Sequence, residues 1–218
     1  DMRYAFYPLQ EGERSRNLII SFAGGAMELM KVPRKEFVGS LAGLECDQLF
    51  LTDPSQSWYM KGTRQDWKGH QEVTDYLEEI TEGYEKVMCI GNCLGATGAL
   101  LFSSFSHMTV SFNPHVNFVE EQRSKLTFGS RLLPKHIRES FHTLVAEGVT
   151  KCKGIVEVHV GTDEHDIRQA ELLQEHAPVG HLEIIRHPWS HSNLAGQLKK
   201  RAELVPLIEA AYHRMLLL

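Results

Sequence analysis

Cys93 lies in the segment Gly91-Asn92-Cys93-Leu94-Gly95, a Gly-x-Cys-x-Gly pattern between a run of apolar residues and a run of small ones. Glycines at these positions let a strand and the helix after it approach closely, and they hold the central residue on a sharp turn above the sheet. The positive end of that helix and a nearby imidazole would both favour the thiolate. The pattern predicts a nucleophile for acyl chemistry. The alternative is an inert buried thiol in a tight glycine turn.

Short apolar runs predict six buried strands, which alternate with longer segments of helical periodicity. Strands are predicted at residues 17–22, 47–51, 86–90, 108–112, 154–160 and 182–185, with an antiparallel edge strand at 4–7. Helices are predicted at 67–82, 95–105, 133–147, 166–176 and 193–217, the last of them kinked or split by Pro206.

Strands that alternate with helices of this length are typical of βαβ units. They predict an α/β fold with a mostly parallel, twisted sheet of six to seven strands and helices on both faces. Right-handed crossovers then place the functional loops at the carboxyl ends of the strands. Residues 1–218 are predicted to form one domain. Residues 117–135 are either a short lid or cap over the site or a connecting loop.

The whole chain, from its first strand through its closing helix, resembles the α/β-hydrolase superfamily. Residues 91–95 are similar to the cysteine-bearing elbows of dienelactone hydrolases and polyhydroxyalkanoate synthases, although the rest of the sequence matches neither closely. Most members of the superfamily carry serine where this chain has Cys93. The resemblance implies the α/β-hydrolase fold and an acyl-enzyme mechanism, without indicating a subfamily.

In this superfamily the nucleophile, the acid and the histidine follow in that order along the chain. His191, in the loop before the closing helix, is therefore the predicted base, with His187 at the preceding strand end as the alternative. Asp163 directly follows the fifth predicted strand and is the predicted acid that orients the imidazole. Asp166 is the alternative acid, but Gln169 three residues later favours a helix-capping role for it.

Acyl transfer also needs two hydrogen-bond donors aimed at the developing oxyanion. The backbone N–H of Leu94, directly after the nucleophile, is the first predicted donor. The resemblance implies that the second comes from the glycine-rich loop after the first parallel strand, at Ala23 or Gly24. This loop lacks the glycine patterns of nucleotide-binding proteins, so it does not indicate a phosphate site.

Four further side chains are candidates for contact with substrate, because they follow strands on the functional edge or flank His191. They are Trp58, Tyr59, His115 and Trp189. Core packing is the alternative for Trp58 and Tyr59, and an ordinary loop position is the alternative for His115.

The composition excludes several classes of protein. The 218 residues carry a formal net charge of −5, which does not indicate a nucleic-acid partner. No apolar run approaches the roughly 20 residues that cross a bilayer. The four cysteines (Cys46, Cys89, Cys93 and Cys152) lack paired CxxC spacing, which predicts free thiols in a reducing, cytoplasmic compartment. The twelve histidines are scattered, so neither a metal nor a cofactor is predicted.

Three functions agree with these residues. The first is a hydrolase or thioesterase that cleaves an ester, lactone or thioester through an acyl-cysteine. The second is an acyltransferase that passes the same acyl group to an amine, thiol or alcohol. The third is a non-catalytic binding protein built on the same fold. The predicted partner is a small acyl ester or thioester, free or carrier-bound, and the sequence does not indicate an oligomeric state.

Overall fold

The structure is a computed structural model that describes residues 3–10, 12–25, 28–29, 32–33, 35–61, 69–118, 133–189 and 194–218. Within these ranges the chain forms nine strands: β1 (Arg3–Tyr7), β2 (Asn17–Phe22), β3 (Glu28–Leu29), β4 (Val32–Pro33), β5 (Asp47–Thr52), β6 (Lys86–Asn92), β7 (Met108–Phe112), β8 (Ile155–Val160) and β9 (Leu182–Arg186). The same ranges contain helices α1 (Val38–Leu41), α2 (Gly69–Thr81), α3 (Leu94–Leu101), α4 (Lys135–Thr150), α5 (Glu164–His176), α6 (Leu194–Lys200) and α7 (Leu204–Leu216), with a 3₁₀ turn at Ser103–Phe105.

Seven strands form one twisted sheet in the order β1-β5-β2-β6-β7-β8-β9. The strands β5, β2, β6, β7, β8 and β9 are parallel, and β1 pairs antiparallel with β5 at the edge. The short strands β3 and β4 form a separate antiparallel pair. The predicted α/β fold and its antiparallel edge strand are confirmed.

The sheet is covered by helices on both faces, which explains why its central strands are apolar at nearly every position. In β2, Leu18, Ile20 and Phe22 belong to the apolar cluster that includes residues of α2, α3, α4 and α5. Ile19, on the opposite face of the same strand, belongs to the cluster that includes residues of α1, α6 and α7. The two cores are coupled, because β2, β5 and β6 each contribute side chains to both clusters.

The strand order changes direction between β2 and β6. From β2 the chain moves outward to β5, and it then returns past β2 to add β6, β7, β8 and β9 on the other side. In open α/β sheets, ligands bind at the carboxyl ends of strands at such a switch point. The ends of β2 and β6 lead into residues 23–25 and Cys93, respectively, so the fold brings the glycine-rich loop and the proposed nucleophile to one place.

The closing helix is interrupted, but not where the sequence predicts. The break falls between Lys200 and Leu204, where Ala202 has a left-handed backbone (φ 60°) and the Glu203 N–H donates to the Leu198 carbonyl oxygen at 2.9 Å. This geometry is a common way to end a helix. Pro206 instead lies in the first turn of α7, where its missing N–H costs no helical hydrogen bond.

The structure adds elements that the sequence analysis did not predict. They are the short helix α1 and the β3–β4 pair, both between β2 and β5. None of the described helices has the length and apolar character needed to span a membrane.

Candidate active site

Cys93 has a strained backbone conformation at the turn between β6 and α3. Its φ of 55° and ψ of −119° are unfavourable for a residue with a side chain, a cost on the order of 1–3 kcal/mol. Its N–H donates to the carbonyl oxygen of Phe112 on β7 at 2.9 Å, and its own carbonyl oxygen accepts from the Thr97 N–H at 3.2 Å. Bonds to a neighbouring strand and to the following helix therefore hold the strained turn.

Gly91 and Gly95 make the turn possible. A methyl group at Gly91 would overlap the carbonyl of Gly95, and one at Gly95 would overlap the carbonyl of Phe22 on β2. The predicted close approach of strand and helix is therefore confirmed. It also brings the first turn of α3 against the end of β2, next to the glycine-rich loop.

The described surroundings of Cys93 favour the neutral thiol over the thiolate. Burial raises the pKa of Cys93 the most, and the negative charges of Glu36 and Asp166 add to the increase. The Leu94 backbone N–H hydrogen-bonds the sulfur and lowers the pKa, but by less than burial raises it. The helix end thus contributes as predicted, whereas the net effect of these groups is the reverse of the predicted thiolate stabilisation. Such a thiol needs a base to remove its proton as it attacks.

The other three cysteines differ from Cys93 in burial. Cys46, Cys89 and Cys152 are buried free thiols, while Cys93 is partly exposed. Burial raises the pKa of all three, to about 12 for Cys46. Cys93 is therefore the most accessible thiol of the four.

The predicted base, His191, lies outside the described residues, in the segment 190–193 between Trp189 and α6. The alternative base, His187, is described. Its Nε2 lies 3.0 Å from Nδ1 of His159, and its ring stacks on Trp189 with 5.6 Å between centroids. His159 in turn stacks on Phe112, within the core cluster that also contains α6 and α7 residues. The described contacts of His187 thus lie on that face of the sheet and involve no contact with Cys93.

Of the two candidate acids, Asp163 rather than Asp166 is the helix cap. Helix α5 begins at Glu164, and its cap is Asp163, whose Oδ1 accepts from the His165 N–H at 2.9 Å. Asp163 is exposed. Asp166 is only 1% exposed, and its charge acts on Cys93. The prediction that Asp166 caps the helix is therefore wrong.

Gln169 was expected to accompany a capping Asp166, but its side chain is used elsewhere. Its Oε1 accepts from the backbone N–H groups of Val116 and Asn117 at 2.7 and 2.9 Å, and its Nε2 donates to the Asn117 carbonyl oxygen at 3.1 Å. Gln169 thus fixes the chain that follows β7, on the edge of the sheet where the site lies.

One of the predicted oxyanion donors is already used. The Ala23 N–H donates to the carbonyl oxygen of Leu51 at 2.9 Å and so continues the β2–β5 ladder by one residue. It therefore does not serve as the second donor, and Gly24 is the remaining candidate for that role. Gly24 lies beside the elbow, because a methyl group there would be 2.9 Å from the carbonyl oxygen of Asn92.

Tyr59 is buried in the core beneath the glycine-rich loop. It is fully buried, its ring packs edge-on against Phe22, and its hydroxyl donates to the carbonyl oxygen of Ala23 at 3.0 Å. Its backbone N–H donates to the Asp53 carboxylate at 2.9 Å, which holds the left-handed conformation (φ 61°). Tyr59 therefore supports the glycine-rich loop, which agrees with the core-packing alternative, and its contact with substrate remains a prediction.

Trp58 and His115 lie together near the start of α3. Trp58 is 1% exposed, and its ring is 5.3 Å from that of His115 and 4.9 Å from that of Phe118. Its indole N–H is buried and donates to none of the described residues. The His115 N–H donates to Oγ1 of Thr97, one helical turn after Cys93, at 2.9 Å. Contact of Trp58 and His115 with substrate remains a prediction.

Trp189 contacts His187 and Arg201. The Trp189 ring stacks on His187, and the Arg201 guanidinium lies 4.6 Å from its centroid. Its predicted position as a wall of the site stays a prediction.

Most of the segment 117–135, predicted as a lid or a connecting loop, lies outside the described residues. Its described ends, at Phe118 and Leu133, are buried in the core.

Glu36 is a residue of the site that the sequence analysis missed. Its Oε1 would lie 2.9 Å from a methyl group on Gly24, and its charge raises the pKa of Cys93. Glu36 belongs to no recognisable motif. It reaches the site because the chain returns to the end of β2 after the β3–β4 pair, where the Ser21 hydroxyl donates to the Glu36 carbonyl oxygen at 2.9 Å.

A cleft of about 410 Å³ opens beside the elbow. Its lining residues come from the segment around α1, from the end of β6, from α6 and from the first residue of α7. Its polar lining includes Lys35, Glu36, Ser40, Asn92 and Lys199. Among the residues that the structure describes, no three His, Cys, Asp or Glu side chains are arranged to hold a metal ion.

Comparison with known proteins gives matches in structure only. No family model matches the sequence, and no curated protein matches it in sequence. The capsule O-acetyltransferase of Neisseria meningitidis serogroup A is similar in structure, with a TM-score of 0.64, 12% identity and coverage of 94% of this chain and 91% of that chain. Est1E of Butyrivibrio proteoclasticus, solved with ferulic acid, has a TM-score of 0.61, 12% identity and coverage of 95% and 94%.

A third solved structure is the S-formylglutathione hydrolase FrmB of Staphylococcus aureus, with a TM-score of 0.57, 12% identity and coverage of 94% of this chain and 99% of that chain. The chain has the α/β-hydrolase fold. In this fold the nucleophile sits on a strained turn between a strand and a helix, the position that Cys93 has here. At this level of identity the likeness does not choose among reactions, because one fold hosts many functions.

Proposed function

We propose that this protein is a cysteine-dependent acyl hydrolase that cleaves an ester, lactone or thioester through an acyl-cysteine at Cys93. The observation that carries the proposal is the strained turn of Cys93, with the Leu94 N–H directed at its sulfur. A left-handed conformation at a residue with a side chain costs stability. The strained turn exposes a nucleophile above the sheet, which assists catalysis. A non-catalytic binding protein has no such use for the strain.

The proposed reaction begins with a neutral thiol. His191 accepts the proton of Cys93 while the sulfur attacks the carbonyl carbon, and the Leu94 and Gly24 N–H groups bind the oxyanion. The imidazolium then gives its proton to the departing alcohol or thiol, which leaves a thioester on Cys93. His191 next removes a proton from water, the resulting hydroxide displaces the sulfur, and the carboxylic acid leaves as the thiol is restored.

For the acid of the triad we propose Asp166 in place of Asp163. A carboxylate that supports an imidazolium is effective when it is shielded from water and fixed in position. Asp166 is buried in the first turn of α5, and its charge reaches Cys93, whereas Asp163 is exposed and occupied as a helix cap.

Acyl transfer to an acceptor other than water is the second candidate function. The polar cleft beside the elbow favours it, because hydrolysis needs room for no more than a water molecule on the acceptor side. The same triad chemistry serves both reactions.

The test of the proposed function is a mass measurement. The protein is mixed with a panel of p-nitrophenyl esters and acyl thioesters, and its intact mass is followed together with product release. We expect an increase by one acyl group, located on the peptide that contains Cys93. A protein that gains no acyl group and releases no product with any member of the panel would contradict the proposal and favour the binding function.

Substitution of the two aspartates should separate catalysis from stability. Asp166→Asn keeps the size of the side chain but removes its charge, so kcat should fall by roughly 10²–10⁴-fold through misorientation of the imidazole. Asp163→Ala removes the α5 cap and should cost about 1 kcal/mol of unfolding free energy with little change in kcat. Steady-state kinetics and urea unfolding of both variants measure the difference. The opposite pattern would return the catalytic role to Asp163.

A further inference from the structure

Glu36 is fixed close to the reacting atoms. Its Oε1 and the Asn92 carbonyl oxygen would each lie 2.9 Å from a methyl group on Gly24, the remaining candidate for the second oxyanion donor. Its backbone is tied to β2 through the Ser21 hydroxyl. The charge of Glu36 also reaches Tyr59, beneath the same loop. The side chain is therefore part of the wall between the glycine-rich loop and the elbow.

A carboxylate in this place opposes the first half of the reaction. Its negative charge disfavours both the thiolate of Cys93 and an oxyanion at the Gly24 N–H. A charge that is unfavourable in the acylation step is expected at a functional site when the same charge assists a different step of the reaction. Glu36 also lines the cleft, which extends away from Cys93 toward α1 and α6. Glu36 therefore borders both the glycine-rich loop and the cleft.

The charges of the cleft indicate what kind of molecule fits. Lys35 and Lys199 line it together with Glu36, so its described lining has an excess of positive charge. The Lys35 ammonium donates to the Tyr7 hydroxyl and lies over the Tyr7 ring, so it is held on one side of the cleft. Excess positive charge disfavours a cationic amine. Ser40 and Asn92 add neutral polar groups, which suit hydroxyl groups.

We propose that Glu36 binds a hydroxyl group of a neutral, polyhydroxylated acceptor, and that the cleft holds the rest of that molecule. The inference rests on the acyl-cysteine of the proposed function and specifies the acceptor for its second candidate. Glu36 accepts a hydrogen bond from one hydroxyl, which orients a neighbouring hydroxyl toward the thioester on Cys93. The structure thus assigns Glu36 as a determinant of acceptor specificity.

The transfer step balances without any further reactant. The acceptor oxygen attacks the carbonyl carbon of the Cys93 thioester, and His191 takes the hydroxyl proton. The carbon–sulfur bond breaks as the new carbon–oxygen bond forms, and the sulfur recovers a proton from His191. In this step Glu36 exchanges no proton and makes no covalent bond.

The experiment compares transfer with hydrolysis in one reaction. The full chain is acetylated at Cys93 with p-nitrophenyl acetate in the presence of glycerol, methyl glucoside or glycinamide. Acetylated acceptor and free acetate are then quantified, and the burst of p-nitrophenol gives the acylation rate separately. The variants are Glu36→Gln and, as a matched control for loss of one carboxylate, Glu45→Gln. Glu45 is an exposed residue just before the amino end of β5, at the opposite edge of the sheet.

We expect the native protein to acetylate the two polyols and Glu36→Gln to lower the ratio of transfer to hydrolysis about tenfold, the effect of one charged hydrogen bond. Acylation of Glu36→Gln should be no slower, since a charge that opposes it is gone. A lower transfer ratio with undiminished acylation excludes a general loss of structure, which would slow both steps. The rate of iodoacetamide labelling of Cys93 should also begin to rise at a lower pH in Glu36→Gln than in Glu45→Gln.

Each contrary result has a distinct meaning. If no acetyl group appears on Cys93, the proposed function fails, and this inference fails with it. If Cys93 is acetylated but water remains the only acceptor, the inference is overturned and the hydrolase proposal stands. The inference is also overturned if glycinamide is preferred over both polyols, or if Glu36→Gln and Glu45→Gln give the same ratio.

Discussion

Replacement of Cys93 by alanine is expected to lower kcat at least about 10³-fold and to abolish the acyl adduct, while the protein remains folded. The alanine keeps the strained backbone but offers no atom that can attack a carbonyl. Steady-state turnover of a p-nitrophenyl ester, with intact mass and circular dichroism on the same sample, provides the measurement. Cys93→Ser should retain part of the activity, because oxygen attacks the carbonyl but needs more help from the base.

The control for this variant is Cys152→Ala, which removes a thiol near the amino end of β8, away from the elbow. This variant should retain native turnover and should still form the acyl adduct. If Cys93→Ala retained most of the native activity in a clean preparation, Cys93 would have no place in the mechanism.

Gly91→Ala should destabilise the fold more than substitution of Cys93, Glu36 or either aspartate. The added methyl group would overlap the Gly95 carbonyl, and both groups belong to backbone that the sheet and α3 hold in place. Overpacking of a rigid core costs about 1–3 kcal/mol, and a clash with backbone belongs at the upper end of that range. Urea unfolding monitored by fluorescence measures the change, and acylation of Cys93 should slow because the elbow must move.

Gly43→Ala is the matched control, since a methyl group at Gly43 meets nothing within 4 Å. It should leave both stability and acylation near their native values. Equal unfolding free energies for Gly91→Ala and Gly43→Ala would mean that β6 and α3 do not approach each other as closely as the structure describes.

Local patterns in the sequence were enough to predict the sheet and the elbow. Buried strands between helices appear as apolar runs such as 17–22. The glycines around Cys93 indicate the close approach of β6 and α3, which are adjacent in sequence. Both features depend on residues that are close in sequence.

The features near Cys93 that differ from the sequence analysis, or that it missed, depend on partners distant in sequence. Asp163 and Asp166 are both suitable helix caps, and the apparent capping partner Gln169 is instead held by the backbone after β7. The Ala23 N–H is used because β5, which lies much further along the chain, continues beside it. Glu36 reaches Gly24 through a return of the chain that no short motif encodes.

The neutral state of the Cys93 thiol affects how the protein withstands oxidants. Oxidation by peroxide to sulfenic acid, and then irreversibly to sulfinic and sulfonic acids, proceeds from the thiolate. Burial and the charges of two carboxylates raise the pKa of Cys93 and so favour its protonated form. Under the proposed function, the groups that make the first chemical step dependent on a base also lower the fraction of thiolate, so we expect them to slow oxidation of Cys93 in the absence of substrate.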